Sequence, residues 1–216
     1  MTCQVSAFRW VPEFAQGYVR DLRVRWALEE AGLPYEAVLV GLDEKDADSY
    51  RAWQPFGQVP AYRDDEVEMF ESGAIVLHIA EKSEALCPRG AGARARVMTW
   101  VIAALNSVEP FAWNLIFFDG EGADEDSVSR RRAKLETALD GRLTPLEKRL
   151  AGREYLEDRF TAGDIVMSTA LRELDQSGAL ARYPALLAYV ERCTARPAFA
   201  RALEAQMKVF RENAAA

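Results

Sequence analysis

Gln54-Pro55-Phe56-Gly57-Gln58-Val59-Pro60-Ala61-Tyr62 and, after a short polar break, Phe70-Glu71-Ser72-Gly73-Ala74-Ile75 decide how this chain reads. Pro55 and Gly57 mark a turn, Val59-Pro60 leads into an apolar run, and Asp64-Asp65-Glu66 separates that run from a second. Glu71-Ser72 then opens an apolar-periodic segment, so the order predicts turn, X-Pro peptide, hairpin and helix start. An X-Pro bond is the one common place for a cis peptide. Beside a strand, a cis-Pro turns the preceding residue's N–H and C=O outward, where an extended peptide ligand pairs with them. Val59 would then be a backbone docking point. Ser72 at a helix N-terminus offers a hydroxyl, free amides and the positive dipole end to a carboxylate, and Glu71 offers an acceptor to an ammonium group. Together these positions suit a small peptide with a free amino acid end. A trans Val59-Pro60 turn with a merely capping Ser72 is the other reading of the same residues.

Upstream, Gln4 to Arg9 alternates as a short strand, with Val5 and Ala7 on one side and Ser6 and Phe8 on the other. Val19 to Ala31 has helical spacing (Leu22/Trp26, Val24/Leu28) and ends at Gly32-Leu33-Pro34, after which Tyr35 to Val40 predicts a second strand. Asp46 to Trp53 is weakly helical. A helix is expected from Ser72 to about Ser83, giving the order β-α-β-α-β-β-α, with the first two strands parallel by the right-handed crossover rule.

Glu84 to Ala93, with Pro88, Gly90 and Gly92, reads as a linker, and everything beyond it as helical. Val97, Trp100, Val101, Ala104, Leu105 and Val108 form one amphipathic face. Gly120-Glu121-Gly122 marks a loop. Leu135, Leu139, Leu143, Leu146 and Leu150 continue as a helix that Gly141 and Pro145 are expected to bend or end early. Phe160-Thr161-Ala162-Gly163-Asp164-Ile165 carries a capping box and hydrophobic staple. Two helices follow, Pro184 to Thr194 and Pro197 to about Arg211, each with Pro in its first turn.

The 216 residues carry a formal charge of -7, with 50% hydrophobic and 28% charged, the range of a globular protein with a sizeable core. The acidic balance argues against nucleic acid as a partner, and Arg130-Arg131-Arg132, after Asp124-Glu125-Asp126, reads as a solvated helix face. No apolar run is long enough to span a bilayer, which predicts no membrane partner and a cytoplasmic location. Cys3, Cys87 and Cys193 are odd in number and widely spaced, so neither a disulfide framework nor a zinc site is indicated. His78 reads as a satisfied imidazole on a helix, and no metal is expected.

The Val-Pro before the third strand and the Glu-Ser at the start of the third helix, at this spacing, resemble the glutathione site of the glutathione S-transferase family, of the bacterial cytosolic type. The likeness covers nearly the whole chain, the Thr161/Asp164 capping box included. It implies an α/β thioredoxin-like domain at 1–83 (a four-stranded mixed sheet with three helices), a linker at 84–93, and an all-helical C-terminal domain at 94–216. It implies glutathione as co-substrate, held by Gln58, Val59, Pro60, Glu71 and Ser72, and a homodimer. The thiol would be activated at the loop after the first strand, where relatives carry Ser, Tyr or Cys. Here Tyr18 occupies the matching place, with Arg20 and the Val19 and Arg20 amides as the competing donors, and Gly17 permits an unusual backbone angle beside it. Trp10, Phe14, Trp113 and Phe117 are available to line a pocket for a hydrophobic electrophile. The activity implied is attack of the glutathione thiolate by substitution or conjugate addition. A glutathione-dependent isomerase or reductase for one metabolite, and a non-catalytic binding protein, are the alternatives.

Overall fold

The computed structural model describes residues 3–118 and 124–214, so the expected loop at Gly120-Glu121-Gly122 and the last residues of the alanine tail lie outside the described residues. The chain forms two compact units, Met1–Gly90 with Ala195–Ala216, and Ala91–Thr194.

The first unit holds a four-stranded sheet in the order β2-β1-β3-β4, built from β1 (Cys3–Phe8), β2 (Tyr35–Val40), β3 (Ala61–Arg63) and β4 (Glu68–Phe70). β1 runs parallel to β2 from Cys3↔Tyr35 to Phe8↔Val40, as expected for a crossover through α1 (Asp21–Ala31). β3 is antiparallel to both β1 and β4. Val5, Ser6 and Ala7 of β1 are all buried, because an inner strand has both faces covered and simple alternation does not describe it. Gly32 ends α1 in the left-handed region at φ 67°, the C-cap role its place after the helix predicts. The weak Asp46–Trp53 segment contains α2 (Asp48–Arg51), and α3 (Ser72–Glu81) follows the hairpin. Asp64 closes that hairpin by accepting from the Glu66 and Val67 amides at 2.8 and 3.0 Å.

In the second unit, α4 (Ala91–Ala103) begins directly after Gly90, whose φ of 107° breaks the chain. The last three residues of the expected 84–93 linker are therefore helical. The amphipathic face at 97–108 is present, with Val97, Val101, Ala104 and Val108 buried, but its helix is not uniform. Ala104–Val108 is a π turn leading into α5 (Glu109–Ile116). Pro110 has no N–H to donate to the carbonyl of Asn106, so the ladder slips there.

The expected early end at Gly141 and Pro145 is corrected: α6 runs unbroken from Glu125 to Leu150. Gly141 is the residue whose carbonyl the Pro145 ring crowds, nothing lies within 4 Å of where its side chain would be, and Leu139, Leu143, Leu146 and Leu150 anchor the helix on both sides. Arg130, Arg131 and Arg132 are exposed on it, as a solvated face requires.

α7 (Ala162–Arg172) is buried from Ala162 through Leu171 and packs against α4 and against α8 (Pro184–Thr194). Its capping box is formed, with the Thr161 amide donating to Asp164 at 2.9 Å. Asp164 also accepts from the Leu156 amide at 3.0 Å and the Tyr189 hydroxyl at 2.9 Å, so its buried carboxyl ties three segments together.

The last helix, α9 (Pro197–Glu212), groups with the first unit and not with residues 94–194, unlike the expected 94–216 grouping. It packs along α1, with Trp26 and Phe199 edge to face at 4.8 Å, and Arg196 and Arg201 paired to Glu30 and Glu29. Helical periodicity reveals that α9 has an apolar face but not which neighbour that face meets.

Candidate active site

The register of the hairpin assembles the site. Ala61 lies opposite Phe70, so the residues before Ala61 (Gln58, Val59, Pro60) emerge beside those after Phe70 (Glu71, Ser72) at one end of β3 and β4. Val5 lies opposite Tyr62, so the same end of the sheet holds the C-terminus of β1, the loop that follows it, and the start of α1. Gln58, Val59, Pro60, Glu71 and Ser72 are thus brought to one edge, and Tyr18 and Arg20 to the adjoining corner.

The Val59–Pro60 bond is cis. The Val59 side chain is buried with Val40 and Tyr50, with Phe8, Val19 and Trp53 packed against them. Its backbone N–H and C=O make no hydrogen bond with another described residue. The turn before it is braced: Gln54 accepts from the Phe56 amide at 2.7 Å through its side chain and from the Gly57 amide at 3.0 Å through its backbone carbonyl. Gly57 has φ 63°, and a side chain there would stand 2.8 Å from Asp46 Oδ1 and 2.9 Å from the Lys45 carbonyl. Gln58 exposes its side chain, while its carbonyl accepts from the Tyr50 hydroxyl at 2.6 Å.

Glu71, not Ser72, is the N-cap of α3, and it sits at φ 71° and ψ 111°. A non-glycine residue in that region is strained by about 1–3 kcal/mol, which persists only where the surroundings impose it and is most often met at functional sites. Its side chain makes no capping bond and is exposed. Ser72 is the first helical residue and is buried. The first bond of the helix is from the Ile75 amide to the Glu71 carbonyl at 2.9 Å, which leaves the Ser72, Gly73 and Ala74 amides for an anionic partner.

At the corner, Gly17 adopts φ 80°, as its place before Tyr18 suggested. Tyr18 and Arg20 are half-buried, and Arg20 is the N-cap of α1. Asp21, the next residue, is fully buried and was not singled out from the sequence. Burial pushes its carboxyl up from the ordinary range, against the opposing pull of Arg25, whose Nε donates at 2.7 Å, and of Gln206. The i,i+4 spacing of Asp21 and Arg25 was a legible pair, but their burial depends on α9.

Of the four pocket aromatics, Trp113 and Phe117 pack on α5 with centroids 4.9 Å apart. Trp10 and Phe14 lie in the loop after β1 and, like Phe117, are exposed. An open groove of about 640 Å³ lies elsewhere, lined by Arg25, Tyr35 and Arg201 near the start of β2, at the other end of the sheet. It holds none of the site residues.

His78 is satisfied as expected, with Nε2 2.8 Å from Asp64 Oδ2. Asp64, Glu66 and His78 offer ligand atoms within 4.8 Å of one another. Lys82 Nζ lies 2.8 Å from Asp64 and 3.0 Å from Glu66 and offsets part of their charge. Among the described residues Cys3, Cys87 and Cys193 form no disulfide, and Cys193 is buried.

Comparison with known proteins meets this geometry. Residues 21–86 match the family model for the glutathione S-transferase N-terminal domain and residues 125–192 that for the C-terminal domain. Glutathione S-transferase 3 of Zea mays is 33% identical over 202 residues, covering 85% of this chain and 88% of its own length. A glutathione transferase from Burkholderia graminis, solved with two glutathione molecules bound per subunit, superposes with a TM-score of 0.79 at 26% identity, over 94% of this chain and 88% of that one. A family member from Pseudomonas fluorescens, with two glutathione bound, gives 0.79 at 25% identity over 94% and 92%. A thioredoxin-like unit joined to a helical one is the architecture of this enzyme class. The chain belongs to the glutathione S-transferase family and is a glutathione transferase.

Among the described residues no helix is long and apolar enough to cross a membrane.

Proposed function

We propose that the protein binds glutathione at the edge formed by Val59, Glu71 and Ser72 and directs its thiolate at a hydrophobic electrophile, by substitution or conjugate addition. The observation that carries this is the Ala61↔Phe70 register, which sets the unpaired Val59 backbone beside the amino end of α3. The Val59 N–H and C=O pair with the cysteinyl backbone, Ser72 and the first amides of α3 take the γ-glutamyl carboxylate, and Glu71 accepts from its ammonium, with Gln58 alongside. A free thiol near ~8.5 is mostly protonated at neutral pH, so the site must lower that value. Tyr18 is the proposed donor to the sulfur, and Arg20 with the neighbouring amides the competing one. Trp10, Phe14, Trp113 and Phe117 are the proposed lining for the electrophile. The fold relatives bound to glutathione support the tripeptide as co-substrate. A cytoplasmic homodimer acting in detoxification is the assembly and setting this reading carries over from the family, with no metal required.

The test is retention on immobilised glutathione, the thiolate absorbance of the bound tripeptide at neutral pH, and turnover of a generic aryl halide. Absence of both binding and the thiolate band would sink the reading. Binding with a thiolate band but no aryl halide turnover would move it towards a glutathione-dependent isomerase or reductase with a dedicated substrate.

A further inference from the structure

The turn that carries Val59 is held by two buried hydroxyls. Ser6, on β1 and fully buried, accepts from the Ala61 amide at 2.6 Å. Ser6 Oγ lies 2.8 Å from the Tyr50 hydroxyl, and the Tyr50 hydroxyl lies 2.6 Å from the Gln58 carbonyl.

The donors can be assigned without ambiguity. An amide N–H can only donate and a carbonyl can only accept. Tyr50 therefore spends its one proton on Gln58, and the Ser6 hydroxyl must donate to the Tyr50 oxygen. The bonds run one way, from the Ala61 amide through Ser6 and Tyr50 to the Gln58 carbonyl, and they meet the chain on both sides of Val59-Pro60. Tyr50 also packs its ring against the Val59 side chain in the small cluster with Val40, and Val19, next to Tyr18, lies against that cluster. Burial pushes the Tyr50 hydroxyl up from its ordinary value, which keeps it protonated and donating. Chains of hydrogen bonds in a low-dielectric interior strengthen one another, so cutting any link weakens the rest.

We infer that Ser6 and Tyr50 are positioning residues: their relay fixes the Gln58–Val59 peptide in the orientation from which the tripeptide's backbone is read. The inference rests on the reading of Val59 as the docking edge. Both residues are buried beneath the turn, so the relay is expected to act on glutathione binding and not on the chemical step.

Tyr50→Phe keeps the ring packing and removes the link, and Ser6→Ala removes the other. Each is expected to raise the KM for glutathione about tenfold while kcat at saturating glutathione and the KM for the electrophile stay within about twofold. The double variant should be no worse than the poorer single one, because a chain cut twice is cut once. Amide exchange in the protein without ligand gives a second readout. In Tyr50→Phe the Ala61 amide keeps its direct acceptor, yet its exchange should quicken about tenfold if the relay acts as a unit. Unchanged Ala61 exchange with unchanged KM for glutathione would overturn the inference, as would kcat and melting temperature falling together while that KM holds. If the wild-type protein does not bind glutathione, the ligand reading fails separately, and the Ala61 exchange rate still decides the relay: quickened in Tyr50→Phe it stands, unchanged it falls.

Discussion

Gln206 and Asp21 stand 185 residues apart in the chain, and the Gln206 amide nitrogen donates to the Asp21 carboxylate at 2.6 Å. The same nitrogen lies 3.2 Å from the Val19 carbonyl, so α9 steadies both the loop that presents Tyr18 and the buried acid at the head of α1. Gln206→Ala withdraws a donor from a carboxylate with no access to water. The expected loss is about 2 kcal/mol of unfolding free energy, read from urea midpoints at constant slope.

Asp64 contributes to the acid stability of the hairpin and α3. Burial works to push its carboxyl up, but Lys82, His78, the Glu66 amide and Tyr62 outweigh it and hold the group well below the usual carboxylate range. A depressed pKa means the stabilisation is present above the unfolded value of about 3.9 and is lost as pH falls below it. Asp64→Asn should therefore lower stability by about 2 kcal/mol at pH 7, with the gap from wild type beginning to close below about pH 5 and continuing to close as pH falls through the depressed folded value. A gap that stays constant with pH would show that the carboxylate charge is not the source.

Glu71 gives a trade between stability and binding. Glycine occupies its φ of 71° without the penalty of a side chain, so Glu71→Gly is expected to stabilise the protein by about 1 kcal/mol in thermal unfolding. The same change removes the proposed acceptor for the ligand's ammonium group and should raise the KM for glutathione about tenfold.

Ser72 makes no side-chain hydrogen bond to another described residue, so its removal is a clean probe of ligand contact. Ser72→Ala should leave the melting temperature within about 2 °C and weaken glutathione binding about tenfold or more, measured by calorimetry, as loss of one charge-assisted hydrogen bond predicts.

The donor to the thiol is separated by pH profiles. Tyr18→Phe is expected to raise the apparent pKa in kcat/KM by about 1 unit, which lowers the rate near neutral pH about tenfold while the alkaline plateau is kept. The same displacement in Arg20→Ala, with Tyr18→Phe unchanged, would transfer the role to the guanidinium.

Much of the fold could be read from local rules because those rules act locally. Gly32 after an apolar helix, Tyr35 to Val40 by its residue types, and the Thr161/Asp164 box each answer to neighbours within a few residues, and each is found where expected. The structure departs from the periodicity where packing overrides a breaker or a breaker interrupts a continuous face. Pro145 interrupts no helix, because the leucines flanking it are buried and hold both halves in place. Pro110 forces a π turn within a face whose apolar spacing alone looks continuous.

The site divides in the same way. Val59, Glu71 and Ser72 could be named in advance, because turn chemistry, an X-Pro step and a helix start are written in adjacent residues. Their meeting at one edge follows from the Ala61↔Phe70 register, and the relay through Ser6 and Tyr50 joins residues 44 apart. The placement of Gln206 beside Asp21 depends on α9 packing along α1. The linear chain thus determined which groups are proposed to grip a tripeptide. Only the folded molecule decided which groups hold them still, because hydrogen bonds between distant residues are set by packing and leave no pattern in local sequence.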